Sequence, residues 1–377
     1  MTSSKKKIKI FIFSSVHRWN DTRILYKQAT SLVKKYDVEL HASAMFKHKK
    51  INGIDVFGLP QWYKVSERKK TREELWSRVK QSDADIFHFH DPELLWMGIK
   101  IRILLKKEVI YDIHEDYEKA ILSKNWIPKY FRYLLSKLFY YFEQISVMVI
   151  KNIISTTNPI SNKFKSLSLN KTIIFNFPFT STIEPDIQKK DENLVIYVGG
   201  ITEIRGFSEI LDAFSLLEKN KFKFLVIGPI SKNYQKKLEN KVKYLNLTNK
   251  IEFTGLLHYD DIFQYIKKAT VGLLCYLPVP NHFVTFPNKI FEYISVGTPV
   301  IASNFPLYRQ IVDDANCGML VDPTNPADIA DKIEYALNNP IEMREFGENG
   351  YNKIQSKYNW ENEENKLLDY YKKILTN

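Results

Sequence analysis

The sequence predicts an α/β protein built from two Rossmann-like domains, and three observations support this. Short β-branched and aromatic runs alternate with helical patterns along the whole chain. The 377 residues are 44% hydrophobic and 26% charged, which is typical of a soluble globular chain of about two domains. A polar stretch at 180–193 interrupts the alternation, which then restarts. We therefore predict domains at 1–185 and 186–377, with parallel sheets that face each other across a cleft.

In the first half, four runs have the composition of buried strands: 7–15, 37–43, 84–90 and 108–114. Six more follow in the second half: 194–200, 221–229, 250–255, 271–276, 298–303 and 318–322. Strand–helix–strand alternation indicates parallel sheets that are covered on both faces. A final helix at about 358–377 is a candidate to pack back on the N-terminal domain.

Composition excludes several classes of protein. Two cysteines, Cys275 and Cys317, cannot form a disulfide framework and fit a reducing compartment. No apolar run approaches the ~18 residues that a spanning helix needs. The N-terminal segment KKKIKIFIFSS is too short in its apolar part for a signal peptide, so we expect a cytoplasmic protein.

Charge and glycine are distributed unevenly. The net charge of +12 divides into +15 for residues 1–190 and −3 for residues 191–377. This asymmetry indicates that the first half faces an anionic partner. Only three of the 13 glycines precede residue 190, so loops that bring backbone close to a ligand are expected in the second half.

The motif VGGITEIRGF (198–207) predicts an anion site. Gly199 and Gly200 end a strand, Arg205 follows, and a helical pattern begins at Phe207. A glycine turn that leads into a helix N-terminus, with a cation beside it, suits a phosphate group. The spacing matches neither G-x-G-x-x-G nor the Walker motif, which disfavours NAD and P-loop sites. An ordinary glycine-bearing turn is the alternative.

The motif PNKIFEYISVGTPVIAS (287–303) adds a second signal in the same half. Lys289 and Glu292 lie three residues apart on one helical face. They are either a surface ion pair or a site in which Lys289 meets phosphate and Glu292 accepts hydrogen bonds from a ribose diol.

Polar residues also follow the first strand. Asp21 is expected to cap a helix, and His17 on the preceding loop suits contact with a diphosphate or an acceptor. His88 and His90 alternate before Asp91, and structural histidines are a better reading of this pattern than a metal site.

These motifs, together with FHFHDPE, YDIHED, FTGLLHYDDI and the closing NWENEENKLLDYY, resemble a family-4 glycosyltransferase of the GT-B fold (glycosyl transferases group 1). The matches follow the family's order over nearly the whole chain. The resemblance implies a retaining, metal-independent, hexosyltransferase-type enzyme with a nucleotide-diphosphate sugar as donor and no further cofactor. It places the donor in the C-terminal domain and the acceptor mainly in the N-terminal one.

The resemblance also assigns roles to residues. It implies catalytic roles for His114, Arg205 and Lys289. It implies donor-binding roles for Gly199, Gly200, Arg205, Lys289 and Glu292. Residues expected near the acceptor or cleft are His17, Asp21, Arg23 and Glu115. Glu115 and Asp116 are expected to orient His114.

The sequence departs from the family at two positions. Gly200 stands where many relatives have a second phosphate-binding arginine, and Val284 stands where the first of two paired glutamates belongs. Lys289 would then have to replace the missing arginine, and the identity of the donor sugar cannot be transferred from relatives.

The resemblance indicates polysaccharide biosynthesis, with transfer to a glycan or lipid-linked acceptor, and leaves both UDP and GDP open as the donor nucleotide. A nucleotide-sugar epimerase of the same architecture is the alternative enzyme. The pI of 9.2 raises nucleic-acid binding as a third class, but no recognised nucleic-acid motif is present and the basic residues lie among acidic ones.

Residues 119–151 predict a surface for anionic lipid. They hold six basic residues and one acid, Glu143, interleaved with aromatic residues that include Trp126. This mixture suits the headgroup interface, and it predicts a peripheral protein on the inner face of the plasma membrane. A domain helix with a solvated basic edge is the alternative.

Overall fold

The computed structural model describes residues 7–62, 64–124, 127–180, 185, 190–218 and 222–376. The chain divides into a first unit, Met1–Asn176 with Trp360–Asn377, and a second unit, Phe177–Asn359. The division falls before the predicted boundary at 185/186, because Phe177 packs edge to face on Phe291 of the second unit. Most of the predicted polar linker, at 181–184 and 186–189, lies outside the described residues.

The first unit holds a sheet of eight described strands in the order β3-β4-β2-β1-β5-β6-β7-β8. The strands are β1 Lys9–Arg18, β2 Asp37–Ser43, β3 His48–Ile51, β4 Ile54–Leu59, β5 Ile86–Phe89, β6 Glu108–Ile113, β7 Asn152–Ser155 and β8 Asn170–Ile173. All neighbours are parallel except β3 and β4, which form an antiparallel pair at one edge. Of the central strands, β5 is buried throughout and β1 and β6 are buried along most of their length, as expected for a sheet with helices on both faces.

The described helices up to this sheet's last strand are α1 Thr30–Leu32, α2 Arg68–Gln81, α3 Leu95–Lys100, α4 Tyr117–Leu122, α5 Lys129–Ile150 and α6 Asn158–Asn162. Further helical segments, of the π or 3-10 type, are Thr22–Ala29, Val65–Glu67, Pro92–Leu94 and Ile101–Leu105. Lys151 ends α5 in a left-handed conformation, with φ at 69°, and lets the chain turn directly into β7. No helix within the described part of the chain is both long enough and apolar enough to cross a membrane.

The second unit holds a fully parallel sheet of six described strands in the order β11-β10-β9-β12-β13-β14. The strands are β9 Asp191–Val198, β10 Lys223–Ile227, β11 Ile251–Gly255, β12 Ala269–Leu274, β13 Val300–Ser303 and β14 Gly318–Val321. The helices are α7 Phe207–Leu216, α8 Lys232–Tyr244, α9 Tyr259–Ile266, α10 Asn288–Ile294, α11 Pro306–Ala315, α12 Pro326–Asn338 and α13 Pro340–Ser356, with turns Glu203–Arg205 and Pro280–Phe283. The two parallel α/β sheets confirm the predicted fold class.

The closing helix, α14 Trp360–Thr376, belongs to the first unit. The indole of Trp360 is fully buried and donates a hydrogen bond to Ser31 Oγ at 3.0 Å. Further along the helix, the Tyr371 hydroxyl lies 2.7 Å from His88 Nδ1. The closing helix therefore packs into the core of the first unit, against α1 and β5.

We predict that Trp360→Ala lowers the unfolding midpoint of the first unit by about 10 °C. Removing a buried tryptophan costs about 3–5 kcal/mol, and each kcal/mol shifts the midpoint of a unit of this size by about 2–4 °C. Calorimetry of both variants measures the change, with Trp96→Ala as the control because that side chain is 59% exposed. Equal midpoints for the two variants would contradict the packing of α14 in the first unit.

Candidate active site

In the second unit, the loop after β9 takes a shape that only glycine permits. Gly199 and Gly206 both have positive φ, at 141° and 73°. A Cβ atom at Gly206 would lie 2.1 Å from the carbonyl oxygen of Cys275. The loop is thus held against the end of β12 and leads directly into α7. A Cβ at Gly200, by contrast, would have open space around it.

Arg205 stands at the start of α7 in a defined position. Its guanidinium carbon lies 4.1 Å from the centre of the Tyr276 ring, which is itself buried. An aromatic face attracts a guanidinium group without neutralising its charge. The loop therefore presents a positive charge beside a helix N-terminus.

Lys289 and Glu292 approach the same loop from α10. Lys289 Nζ donates to Glu292 Oε2 at 2.5 Å. Lys289 Cε lies 3.6 Å from the place where a Cβ of Gly199 would stand. The structure thus brings together Gly199, Lys289 and Glu292, and each of the two charged side chains is partly exposed to solvent. Val284 is buried.

In the first unit, the loop after β1 is organised by Asp91. Its carboxylate accepts hydrogen bonds from Ser14 Oγ at 2.7 Å and from the amides of Ser15 and Val16 at 2.6 and 3.1 Å. The sequence pattern of Asp91 after a buried strand was visible, but its partners lie 75 to 77 residues earlier in the chain.

His17 stands on this loop between two carboxylates. Its Nδ1 is 3.0 Å from Asp21 Oδ2, and its Nε2 is 3.6 Å from Asp91 Oδ1. Burial opposes protonation, but the hydrogen bond with Asp21 and the charge of Asp91 raise the pKa of His17 above 6.5. Burial also opposes ionisation of Asp21, yet the hydrogen bond with His17 lowers the pKa of that carboxyl well below its usual range.

Asp21 also caps the following helical turn. Its Oδ1 accepts from the amides of Arg23 and Ile24 at 2.9 and 3.1 Å. Asp21 therefore has two structural partners, the helix start and His17, as the capping interpretation requires.

Arg23 is not placed to meet an acceptor, so that prediction is wrong. The side chain is only 4% exposed, and its Nε and Nη2 donate to the two oxygens of Asp112 at 3.0 Å each. Its Nη1 donates to the carbonyl oxygen of Ile174 at 3.0 Å. The sequence placed Arg23 near the loop but could not show that the helix turns this side chain inward, toward a buried carboxylate.

His114 follows β6 and is 15% exposed. Its Nε2 lies 3.1 Å from His90 Nδ1 and 3.6 Å from Asp112 Oδ2. Its ring centre is 5.2 Å from that of His17. His17, His90 and His114 thus form one group at the carboxyl ends of β1, β5 and β6.

The groups that orient His114 differ from those predicted. Glu115 is exposed. Asp116 accepts from the amide of Lys119 at the start of α4 and pairs with Lys163 at 3.3 Å. The neighbouring carboxylate belongs instead to Asp112, because alternate residues of β6 point to opposite faces and the sequence neighbours of His114 point elsewhere.

His88, His90 and Asp112 could hold a metal ion by geometry alone, since their ligand atoms lie within 4.8 Å of one another. Burial lowers the pKa of His88 well below 6.5 and that of His90 to about 4, so both imidazoles are neutral. However, Arg23 already occupies both oxygens of Asp112 with a fixed positive charge. That charge repels a second cation, so the arrangement favours the structural role of the two histidines.

Comparison with known proteins finds similar sequences. Residues 180–353 match the family model described as glycosyl transferases group 1. The chain is 25% identical over 352 residues, 90% of its length and 91% of the relative's, to the GalNAc-alpha-(1->4)-GalNAc-alpha-(1->3)-diNAcBac-PP-undecaprenol alpha-1,4-N-acetyl-D-galactosaminyltransferase of Campylobacter jejuni subsp. jejuni serotype O:2. It is 24% identical to the capsular polysaccharide biosynthesis glycosyltransferase CapM of Staphylococcus aureus, over 58% of this chain and 60% of that protein.

Solved structures share the fold. Sucrose-phosphate synthase from Thermosynechococcus elongatus superposes with a TM-score of 0.79 at 16% identity, covering 98% of this chain and all of that one. Anabaena HepE in complex with UDP gives a TM-score of 0.73 at 15% identity, over 97% of this chain and all of that one. The chain thus has the GT-B fold of these solved structures, and the relatives that it matches are glycosyltransferases. Residues 180–353 match the glycosyl transferases group 1, as the motifs of the sequence imply, and the family-4 resemblance is consistent with this match.

We predict that Asp21→Asn lowers the pKa of the His17 imidazole. Asparagine keeps the helix cap but removes the charge that favours protonated His17. NMR titration of the ring resonances measures this pKa, and His17→Gln assigns the signal. A His17 pKa that is the same in wild type and Asp21→Asn would show that the pair does not set the protonation of this ring.

The sign of the stability effect follows from the two shifts. The raised pKa of His17 means that its protonation stabilises the fold. This stabilisation is fully present below pH 6.5 and is lost as the pH rises through the pKa of His17 in the folded protein. The lowered pKa of Asp21 means that its ionised form stabilises the fold. This stabilisation is fully present above pH 3.8 and is lost as the pH falls through the pKa of Asp21 in the folded protein. The Asp21→Asn variant should therefore lose most stability, relative to wild type, between these two values.

Proposed function

We propose that this protein is a glycosyltransferase that moves a sugar, with retention of configuration, from a nucleotide-diphosphate sugar to a hydroxyl group of a glycan or lipid-linked acceptor. The C. jejuni relative is named for an undecaprenol-linked substrate, the S. aureus relative for capsular polysaccharide, and the HepE structure holds UDP. These names support a donor of this class and a setting in cell-surface polysaccharide biosynthesis.

The observation that carries the proposal is the cation-lined glycine loop of the second unit. Arg205 and Lys289 flank a loop whose Gly200 leaves open space, and α7 begins at its end. Backbone amides at a helix start and two cations suit a diphosphate. In the transfer step, the bond from the sugar to the diphosphate breaks and negative charge grows on the leaving oxygen. Positive groups held in place stabilise that charge.

Glu292 is proposed to bind the donor ribose. A carboxylate accepts two hydrogen bonds from neighbouring hydroxyls, as acidic residues do in other nucleotide sites. In the structure, the partner of Glu292 is Lys289. Entry of a nucleoside diphosphate would supply both with new partners, phosphate for Lys289 and ribose for Glu292.

The first unit is proposed to bind the acceptor, with His17 and His114 near the reacting groups. The hydrogen bond with Asp21 and the charge of Asp91 raise the pKa of His17, which favours the positively charged ring, and a positive charge suits a phosphate-bearing acceptor. In retaining transfer of this kind, an oxygen of the leaving phosphate takes the proton of the attacking hydroxyl. The protein then needs no nucleophile, and its contribution is positioning and charge stabilisation.

Metal independence and a hexosyl donor are part of the same proposal. Arg205 and Lys289 together supply the positive charge with which a bound divalent ion would otherwise neutralise a diphosphate.

We predict that Arg205→Ala slows hydrolysis of the donor by about 10²–10³-fold. Loss of one well-placed group that stabilises the leaving charge costs about 3–4 kcal/mol. The assay follows release of free sugar, and the donor is the UDP- or GDP-sugar that gives the largest thermal shift. No acceptor is needed, and interconversion of the intact donor would instead indicate an epimerase.

Arg205→Lys is the matched control, because it keeps a positive charge above Tyr276. It should slow hydrolysis less than Arg205→Ala does, because the positive charge remains although the planar, stacked guanidinium is lost. If Arg205→Ala hydrolyses the donor within threefold of wild type, Arg205 does not stabilise the leaving diphosphate.

We predict that Glu292→Gln weakens binding of the nucleoside diphosphate but not of inorganic pyrophosphate. The ribose contact is lost in both ground and transition states, so affinity falls more than the rate of the bound donor. At the same time Lys289 is released from its carboxylate partner, so pyrophosphate should bind as well or better. Isothermal titration calorimetry with UDP, GDP and pyrophosphate measures both effects. A parallel loss of affinity for all three ligands would rule out a ribose-specific role.

A further inference from the structure

The outer face of α5 is exposed and apolar along the length of the helix. It is formed by ten large side chains with exposed fractions from 37% to 93%. They are Tyr130, Phe131, Tyr133, Leu134, Leu135, Leu138, Tyr141, Phe142, Ile145 and Met148. Their spacing of three and four residues places them in one broad stripe. The 22-residue helix is about 33 Å long.

The neighbouring helical segment also exposes large apolar side chains. Gly98 of α3 lies against α5, since a Cβ there would stand 3.1 Å from Ile150 Cδ1. The same segment exposes Trp96, Ile103 and Leu104. Monomeric proteins rarely expose a continuous apolar patch of more than a few hundred Å², so a surface of this kind calls for a partner.

The charges around the stripe identify the kind of partner. Glu143 is the single acid of α5, all of which the structure describes, and it is 1% exposed. Its carboxylate accepts from Lys163 Nζ at 2.7 Å and from the Tyr111 hydroxyl at 3.2 Å. The outer face therefore carries no negative charge.

Exposed lysines stand at both ends of the helix: Lys124 and Lys129 at the start, Lys151 at the end. Two other basic residues of the segment are engaged within the protein. Arg132 donates to the carbonyl oxygen of Ile127 at 2.8 Å, and Lys137 pairs with Glu118 at 2.6 Å. Trp126 lies outside the described residues. An apolar stripe with exposed lysines at its ends, and with no exposed acid among the described residues of α5, is complementary to an anionic lipid surface.

We propose that the outer face of α5 docks on an anionic membrane surface, with the helix lying in the plane of the headgroups. Aromatic and aliphatic side chains would enter the interface, and Lys124 and Lys129 would meet acidic headgroups. This deepens the proposed function by naming the surface on which a lipid-linked acceptor is met. Its test measures lipid binding without turnover, so each proposal can fail while the other stands.

Flotation with vesicles tests the proposal on the full chain. Wild type should float with vesicles of phosphatidylcholine containing 30% phosphatidylglycerol at low salt, and less with pure phosphatidylcholine or at 0.5 M NaCl. The Leu138→Gln/Ile145→Gln variant should lose at least about tenfold in partitioning. Leu216→Gln/Ile341→Gln removes one exposed leucine and one exposed isoleucine from the second unit and should float like wild type.

A second pair of variants isolates the charge. Lys124→Glu/Lys129→Glu should reduce partitioning by about tenfold or more, because each lysine near an anionic surface contributes about fivefold. Lys236→Glu/Lys243→Glu, on the exposed side of α8, makes the same change in net charge and should have little effect. Thermal unfolding at wild-type midpoints confirms that each variant is folded.

Three outcomes would overturn the proposal. Wild type could stay unbound on anionic vesicles at low salt, or the variants of both units could lose binding equally. Alternatively, wild type could sediment as a dimer and Leu138→Gln/Ile145→Gln as a monomer, with neither floating, which would assign the face to a second copy of the chain.

Discussion

The first unit depends on one buried negative charge, the carboxylate of Asp112. An isolated carboxylate in a protein interior costs several kcal/mol, so its partners must be present and well aligned. Arg23 donates to both of its oxygens, and Gln28 adds a hydrogen bond at 2.7 Å. Despite burial, the charge of Arg23 holds the pKa of Asp112 well below its usual range. Since Arg23 also bonds the carbonyl of Ile174, one ion pair ties a helical turn, a central strand and the segment after β8 together, and it fixes the surroundings of His114.

In the second unit, the charged side chains near the glycine loop are partly exposed rather than buried. Its glycine loop obtains its shape from positive φ angles and from close contact with the end of β12, without a buried ion pair. Arg205 rests on an aromatic ring, and Lys289 on a single, partly exposed carboxylate. Neither arrangement removes the cation from reach of a ligand. The charges at the end of the first sheet are therefore paired within the protein, whereas the cations at the end of the second sheet stay partly exposed.

Local features of both units could be predicted from the sequence, and long-range ones could not. The adjacency of Lys289 and Glu292 follows from helical spacing, and the central strands follow from their long apolar runs. Four strands of the first sheet, β3, β4, β7 and β8, were not predicted. β7 follows α5 after a single residue, so no polar turn separates its apolar run from that of the helix. The inward direction of Arg23 depends on Asp112, 89 residues later. One feature of the sequence does indicate such a partner: Asp112 lies within a buried strand, and a charged residue there requires a buried group of opposite charge.

Burial of acidic side chains increases the excess of positive charge on the surface of the first unit. In the first unit the carboxylates of Asp91, Asp112, Asp116 and Glu143 are all buried. Asp91 is satisfied by hydroxyl and amide donors, so its negative charge leaves the surface without taking a lysine or arginine with it. Asp112 is buried together with one cation, Arg23, so this pair takes one negative and one positive charge away from the surface. Folding thus turns acids inward while most lysines stay outside, and the excess of positive charge in residues 1–190 becomes an excess at the surface. Because the acid of α5 is among those turned inward, the apolar face of that helix is bordered by cations and by no carboxylate of its own.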